Sequence, residues 1–152
     1  MQVAYKAVVL VADGRKLLFL RNQGDAAHPD LQVETAQEHP NPKDGDQASD
    51  AAGRASPGGG GGGGSAGTGS SVSATDFHQL EEDRFAAQAA EMLKRRVLAH
   101  DFEELIVVAP PRTLGELRKH YHVEVSRRLI GELAKDLTGH SIVDIERALA
   151  AA

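Results

Sequence analysis

Apolar side chains fall into two regimes along the chain. Residues 4 to 12, Ala-Tyr-Lys-Ala-Val-Val-Leu-Val-Ala, end in a near-continuous Val/Leu run, the pattern of a strand buried on both faces. After Asp13-Gly14 the run resumes as Lys16-Leu17-Leu18-Phe19-Leu20. Two apolar runs around Asp-Gly predict a β-hairpin with a type I′ turn, which needs positive φ at both central residues. Leu31-Gln32-Val33-Glu34-Thr35 alternates with period two, as an edge strand does. From Asp76 the period becomes helical. Phe77, Leu80, Phe85, Ala89, Met92, Leu93 and Val97 recur at three- and four-residue steps, with charged residues on the other face. Asp76 is placed to cap this helix, with Gln79 at the capping-box position, and the helix is expected to run to about His100.

Leu105-Ile106-Val107-Val108-Ala109, closed by Pro110-Pro111, predicts a central strand. Thr113, with Glu116 three residues on, opens a second helix expected to reach the neighbourhood of Val125. Residues 128–134 fit either a strand or a helix; Gly131 weakens a helix, so a strand is expected. Ser141, with Asp144 three residues later, opens a closing helix whose apolar face is Ile142, Ile145 and Leu149. The order predicts an α/β fold. It is a mixed five-stranded sheet, an N-terminal hairpin plus alternating strand–helix units, with helices packed on it.

Composition changes the picture at one place. Residues 36–75 hold 11 of the 16 glycines and three of the six prolines, and Val72 is their only Val, Ile, Leu, Met, Phe or Tyr. Such a stretch cannot bury enough apolar surface to offset its ordering entropy. The expectation is one domain over 1–152 carrying a flexible Gly/Ser/Ala-rich insert at 36–75. The chain has no cysteine, which excludes disulfides and thiolate chemistry. No signal or membrane-spanning run is recognisable, so a cytoplasmic protein with no membrane partner is expected. Net charge is −5, so any nucleic-acid contact needs a local basic patch.

Three stretches carry a resemblance. Asp76-Phe77-His78-Gln79-Leu80-Glu81-Glu82-Asp83-Arg84-Phe85-Ala86, Val107 through Arg118 with its Ala109-Pro110-Pro111-Arg112-Thr113 turn, and Gly131 through His140 resemble the bacterial host attachment protein family. That family is similar to the middle, catalytic-loop domain of archaeal and eukaryotic peptide-chain release factors. There a glycine-rich loop precedes a long helix with an Arg-Phe pair, as Gly58 to Gly69 precedes Arg84-Phe85 here. An acidic residue and a Ser/Thr-Gly turn end a later strand, as in Asp136-Leu137-Thr138-Gly139. The resemblance implies a translation-associated factor that binds the ribosome or tRNA, with peptidyl-tRNA hydrolysis or ribosome rescue as its catalytic forms. Release factors position water with a Gly-Gly-Gln tip. Here the loop Gly58, Gly59, Gly60, Gly61, Gly62, Gly63 and Gly64 runs into Ser65-Ala66-Gly67 with no glutamine, so whether the chain is an enzyme stays open.

The basic residues Arg84, Lys94, Arg95, Arg96, Arg112, Arg118 and Lys119 are the RNA- or ribosome-binding candidates, because phosphate contacts are made by Lys and Arg. The bland alternative is a set of solvated faces paired with Glu91, Glu103, Glu104, Glu116 and Glu124. Gly63-Gly64-Ser65-Ala66-Gly67 matches a nucleophile elbow only by letter, since no strand precedes it. Asp13 and Asp136 at strand ends are the acids a Mg²⁺-dependent nuclease would use, against a plain turn role for Asp13. His120, His122 and His140 read as surface or helix-end residues rather than metal ligands. No metal and no cofactor are expected. A non-enzymatic interaction module, acting on host attachment indirectly, is the other open reading.

Overall fold

The computed structural model describes residues 1–38 and 63–152. Its elements run β1 (Val8–Ala12), β2 (Lys16–Asn22), β3 (Leu31–Glu38), α1 (Gly63–Leu98), β4 (Leu105–Ala109), α2 (Pro111–Arg118), α3 (Val123–Arg128), β5 (Leu129–Ala134) and α4 (Ile142–Ala151). The strands form one mixed sheet in the order β3-β2-β1-β4-β5. β1 is antiparallel to β2 and parallel to β4; β2 and β3 are antiparallel, and β4 and β5 parallel. The mixed five-stranded α/β architecture expected from the apolar pattern is therefore the observed one.

Every residue of β1 and β4 is buried because both faces of the sheet are covered. Val8, Leu10, Ala12, Leu105, Val107 and Ala109 meet Phe85, Ala89, Leu93 and Val97 of α1, Leu114 and Leu117 of α2 and Val125 of α3. Val9, Val11, Ile106 and Val108 face the other way, onto Ile145 and Leu149 of α4. Alternation along each strand thus feeds two cores, and no position is left polar.

The hairpin forms with a different turn. Asp13, Gly14 and Arg15 connect the strands, and of these only Gly14 has positive φ, at 98°. Asp13 makes this possible by accepting from the amides of Arg15 and Lys16 through Oδ1, at 2.9 and 2.7 Å. β3 sits at the sheet edge, as its alternation predicts, and extends to Glu38. Glu34 is the extra residue of a bulge, since Phe19 pairs with Thr35 while Leu20 pairs with Val33.

Helix α1 begins at Gly63, so Asp76 lies inside it and does not cap it. The two ends of the 36–75 stretch are strand and helix backbone, and its residues 39–62, with Gly58 to Gly62, lie outside the described residues. α2 starts at Pro111, before Thr113, with no side-chain cap; proline at the first position needs none of the missing donors. α2 ends at Arg118, and Val125 belongs to a separate short helix α3, capped by His122, whose Nδ1 accepts from the Glu124 amide at 3.0 Å. α4 has the expected cap: Ser141 Oγ accepts from the Asp144 amide at 3.1 Å. No helix among the described residues is long and apolar enough to cross a membrane.

Candidate functional site

Polar centres flank the sheet at each end of the parallel strands. At the carboxyl ends, β1 delivers Asp13 and the turn after β5 delivers Asp136 and Thr138. The Thr138 hydroxyl lies 2.7 Å from Asp13 Oδ2 and 3.0 Å from Asp136 Oδ1. A hydroxyl has one proton to give, and the shorter contact to Asp13 takes it. Asp136 also accepts from the Thr138 amide at 3.4 Å. Asp13 and Asp136 are thus brought together, 123 positions apart in the chain, around a buried threonine. Among the described residues no group of three or more His, Cys, Asp or Glu could hold a metal ion, and two-carboxylate centres of this kind fall short of the ligand set a Mg²⁺ nuclease uses.

Beside this end, Arg112 in the first turn of α2 reaches back to α1. Its Nη2 donates to Gln79 Oε1 at 2.7 Å and lies 3.0 Å from Glu82 Oε1. Arg84, on the same stretch of α1, bonds Glu81 at 2.8 Å. Arg84 and Arg112 therefore border one short segment of helix, residues 79–84. His120 closes the segment through Asp83, Nε2 to Oδ1 at 3.0 Å. Burial, with Glu132 nearby, pushes the Tyr121 hydroxyl up from its ordinary range, and that hydroxyl has no hydrogen-bond partner among the described residues.

At the opposite end, Arg21 of β2 and Arg96 of α1 share two carboxylates. Arg21 Nε donates to Glu34 Oε2 at 2.6 Å and Nη2 to Asp101 Oδ2 at 2.8 Å. Arg21 Nη1 holds two backbone carbonyls, Lys6 at 3.1 Å and Asp101 at 2.9 Å. Arg96 Nη1 adds contacts to Glu34 at 3.0 Å and Asp101 at 3.3 Å, and its guanidinium lies 4.3 Å over the Phe19 ring. Burial alone would raise the Glu34 carboxyl, but hydrogen bonds from Arg21 and Arg96 outweigh it and hold the group below the ordinary carboxylate range. Hydrogen bonding to Glu34 correspondingly raises Arg21, against the opposing effect of burial.

The remaining candidates are dispersed. Arg95 pairs with Glu91 at 3.3 Å, one helix turn back. Lys94 is half-buried in the same stretch. Arg118 forks onto Glu132 of β5, which raises its pKa, and Lys119 meets Glu116 at 2.9 Å. From Arg84 to Arg95 the axial rise of α1 is roughly 16 Å, which sets Lys94, Arg95 and Arg96 well along the helix from Arg84. All seven candidate cations except Lys94 meet a carboxylate among the described residues.

Sequence reasoning missed Arg21 and Glu34. Period two placed Glu34 on a plain edge strand, and only the bulge between β2 and β3 gives it a different register.

A mixed five-stranded sheet, hairpin first and then alternating strand–helix units, with helices packed on it, is the architecture that the resemblance to a release-factor middle domain implies. The family comparison agrees: the model of the bacterial archaeo-eukaryotic release factor family 12 matches residues 6–149. The chain belongs to that family, whose name ties it to translation. The match carries the release-factor side of the resemblance and gives no support to the host attachment label. No curated protein matches the chain.

Proposed function

We propose that the chain is a translation-associated factor that binds the ribosome or tRNA, using the segment of α1 around Arg84 and the start of α2 around Arg112 as its contact. The observation that carries this reading is the family match over 6–149, which spans both segments. The geometry adds that Arg84 and Arg112 flank six residues of one helix, with the guanidinium of Arg112 oriented by Gln79 and Glu82. Each is about two-thirds exposed, so a phosphate can reach its guanidinium from solvent.

Binding without hydrolysis is the form these residues favour. No Gly-Gly-Gln occurs anywhere in the sequence, and the side chain of Gln79, the glutamine on the far side of the tract, is occupied by Arg112. Peptidyl-tRNA cleavage would need another group to orient water.

Sedimentation with purified ribosomes at low salt tests the reading. The wild-type chain is expected in the ribosomal pellet, and Arg84→Glu with Arg112→Glu is expected in the supernatant. Retention of the double variant, or absence of the wild type from the pellet, refutes it. Peptide release from purified peptidyl-tRNA is expected to stay at the buffer rate; release above that rate, with or without ribosomes, restores the catalytic form.

A further inference from the structure

A cavity of about 670 Å³ opens at the amino-terminal end of β1 and β4, remote from Asp13 and Arg112. It lies within the size range of small-ligand sites. Two non-glycine residues of the described chain have positive φ, Lys6 at 71° and His100 at 58°, and both line this cavity. Left-handed backbone at residues with a Cβ is disfavoured and persists where the surroundings impose it. Here local turns impose it: Lys6 is the third residue of a turn closed by the Ala7 amide on the Ala4 carbonyl at 3.1 Å, and His100 ends α1 where its own amide and that of Asp101 return to the Val97 and Arg96 carbonyls at 3.0 and 2.9 Å, with Arg21 bracing both turns through the carbonyls of Lys6 and Asp101.

The strained turn presents Tyr5, whose residue is 57% exposed although its ring is an apolar body that burial would favour. The Lys6 ammonium stands 5.4 Å from the ring centroid. Among the acids of the lining, Asp101 is bound by Arg21 and Arg96, and Glu103 by Arg128 at 2.8 Å. Glu104 is half-buried and has no ion pair among the described residues. The cavity lining therefore offers a tyrosine ring, a cation over one face of that ring, and a carboxylate without an ion pair among the described residues.

A cationic guest is disfavoured, because Lys6 already occupies the neighbourhood of the ring with positive charge. A planar ring bearing an anion satisfies Tyr5 and Lys6 together. The carboxylate then selects a ring whose edge carries two adjacent N–H donors, as N1 and the exocyclic amine of guanine do; adenine puts an acceptor beside its amine and would repel it. We infer that this cavity binds a guanine nucleotide, free or as an unpaired guanosine in RNA, with the base on Tyr5, its donor edge at Glu104 and its phosphate at Lys6.

Isothermal titration of the full chain with GMP, AMP and guanosine tests the inference. A single-stranded RNA hexamer holding one guanosine among uridines distinguishes the free nucleotide from RNA. GMP is expected to bind saturably and more tightly than AMP. Tyr5→Ala should weaken GMP by about tenfold, the scale of one base stacked on one aromatic ring, with Tyr5→Phe restoring it. Glu104→Gln should abolish the preference for GMP over AMP, and Lys6→Gln should bring GMP down to the affinity of guanosine. Thermal melts of these variants report whether each is folded. Absence of saturable binding of both GMP and the hexamer at millimolar concentration overturns the inference. So does GMP affinity unchanged by Tyr5→Ala and Glu104→Gln, or binding of an arginine-rich peptide in place of nucleotide. The inference is independent of the ribosomal reading: Tyr5→Ala should weaken GMP while still sedimenting with ribosomes.

Discussion

Replacing Arg21 with methionine removes one guanidinium and loosens four segments at once: β2 itself, the bulge of β3, the turn before β1 and the turn between α1 and β4. Methionine keeps the length and apolar character of the stem, so the effect isolates the charge and its donors. The magnitude follows from exposure. Exposed ion pairs contribute about 0.2–1 kcal/mol, and removing one partner of a buried pair costs roughly 3–5 kcal/mol. The Arg21 side chain is only 11% exposed, whereas Glu34 is 31% and Asp101 41% exposed. Both carboxylates also keep Arg96. An intermediate cost of about 2 kcal/mol is expected, or a fall in Tm of about 6–10 °C for a folding unit of this size. Urea unfolding followed by far-ultraviolet circular dichroism measures it. The pH dependence gives an independent check. The folded-state pKa of Glu34 lies below its unfolded value, so the pair's contribution is complete above about pH 4.5 and is lost as pH falls through the folded pKa. The gap between wild type and Arg21→Met should therefore narrow in acid. In a double-mutant cycle with Glu34→Gln, a coupling of about 1 kcal/mol is expected. A cost below about 0.5 kcal/mol, or a gap independent of pH, would refute the view that this network clamps the amino-terminal end of the sheet.

Tyr121→Phe removes a buried hydroxyl without a partner among the described residues and should stabilise the fold by about 1 kcal/mol in urea melts. The raised Tyr121 pKa means the folded state resists ionisation, so its contribution is present below about pH 10 and lost as pH rises; the Tyr121→Phe variant should lack that alkaline decline. Gly115→Ala in α2 meets nothing within 4 Å and should gain about 0.5–1 kcal/mol from helix propensity. Gly24→Ala would set a Cβ 2.1 Å from the His28 carbonyl oxygen, so it should destabilise by more than about 2 kcal/mol, and equal melting of the two alanine variants would contradict the close approach. Thr138→Val keeps the shape but leaves Asp13 and Asp136 without the shared hydroxyl; a loss of about 1–2 kcal/mol is expected, and no loss would show that the turn amides alone hold Asp13.

What the chain discloses before folding depends on how far apart the interacting residues lie. β1, β2 and β4 are legible because sheets covered on both faces need uninterrupted apolar runs, and the closing helix is legible because Ser141 and Asp144 are one turn apart. α3 escaped because six residues with one buried side chain, Val125, carry no period. The start of α1 escaped for a related reason: Gly63 to Thr75 hold one apolar side chain of any size, Val72, so the helical period has nothing to act on before Phe77.

The sites were harder than the fold because each is assembled across the sheet. Runs such as Lys94-Arg95-Arg96 advertise cations, but the sequence does not show that Arg96 is committed to Glu34 and Asp101, nor that Arg118 is committed to Glu132. Charge density along the chain therefore overstates the charge offered to a phosphate, since a paired arginine must give up its carboxylate first. The reverse holds for Tyr5 and Lys6. A tyrosine and a lysine near the start of a strand are unremarked in a linear reading. They become a presented pair in the turn that the Ala7 amide closes on the Ala4 carbonyl, with Lys6 left-handed and its carbonyl held by Arg21, fifteen positions on. The signal for a site here is thus a turn whose left-handed residue carries a side chain, braced by an arginine which the apolar pattern treats as one polar interruption at the end of a strand.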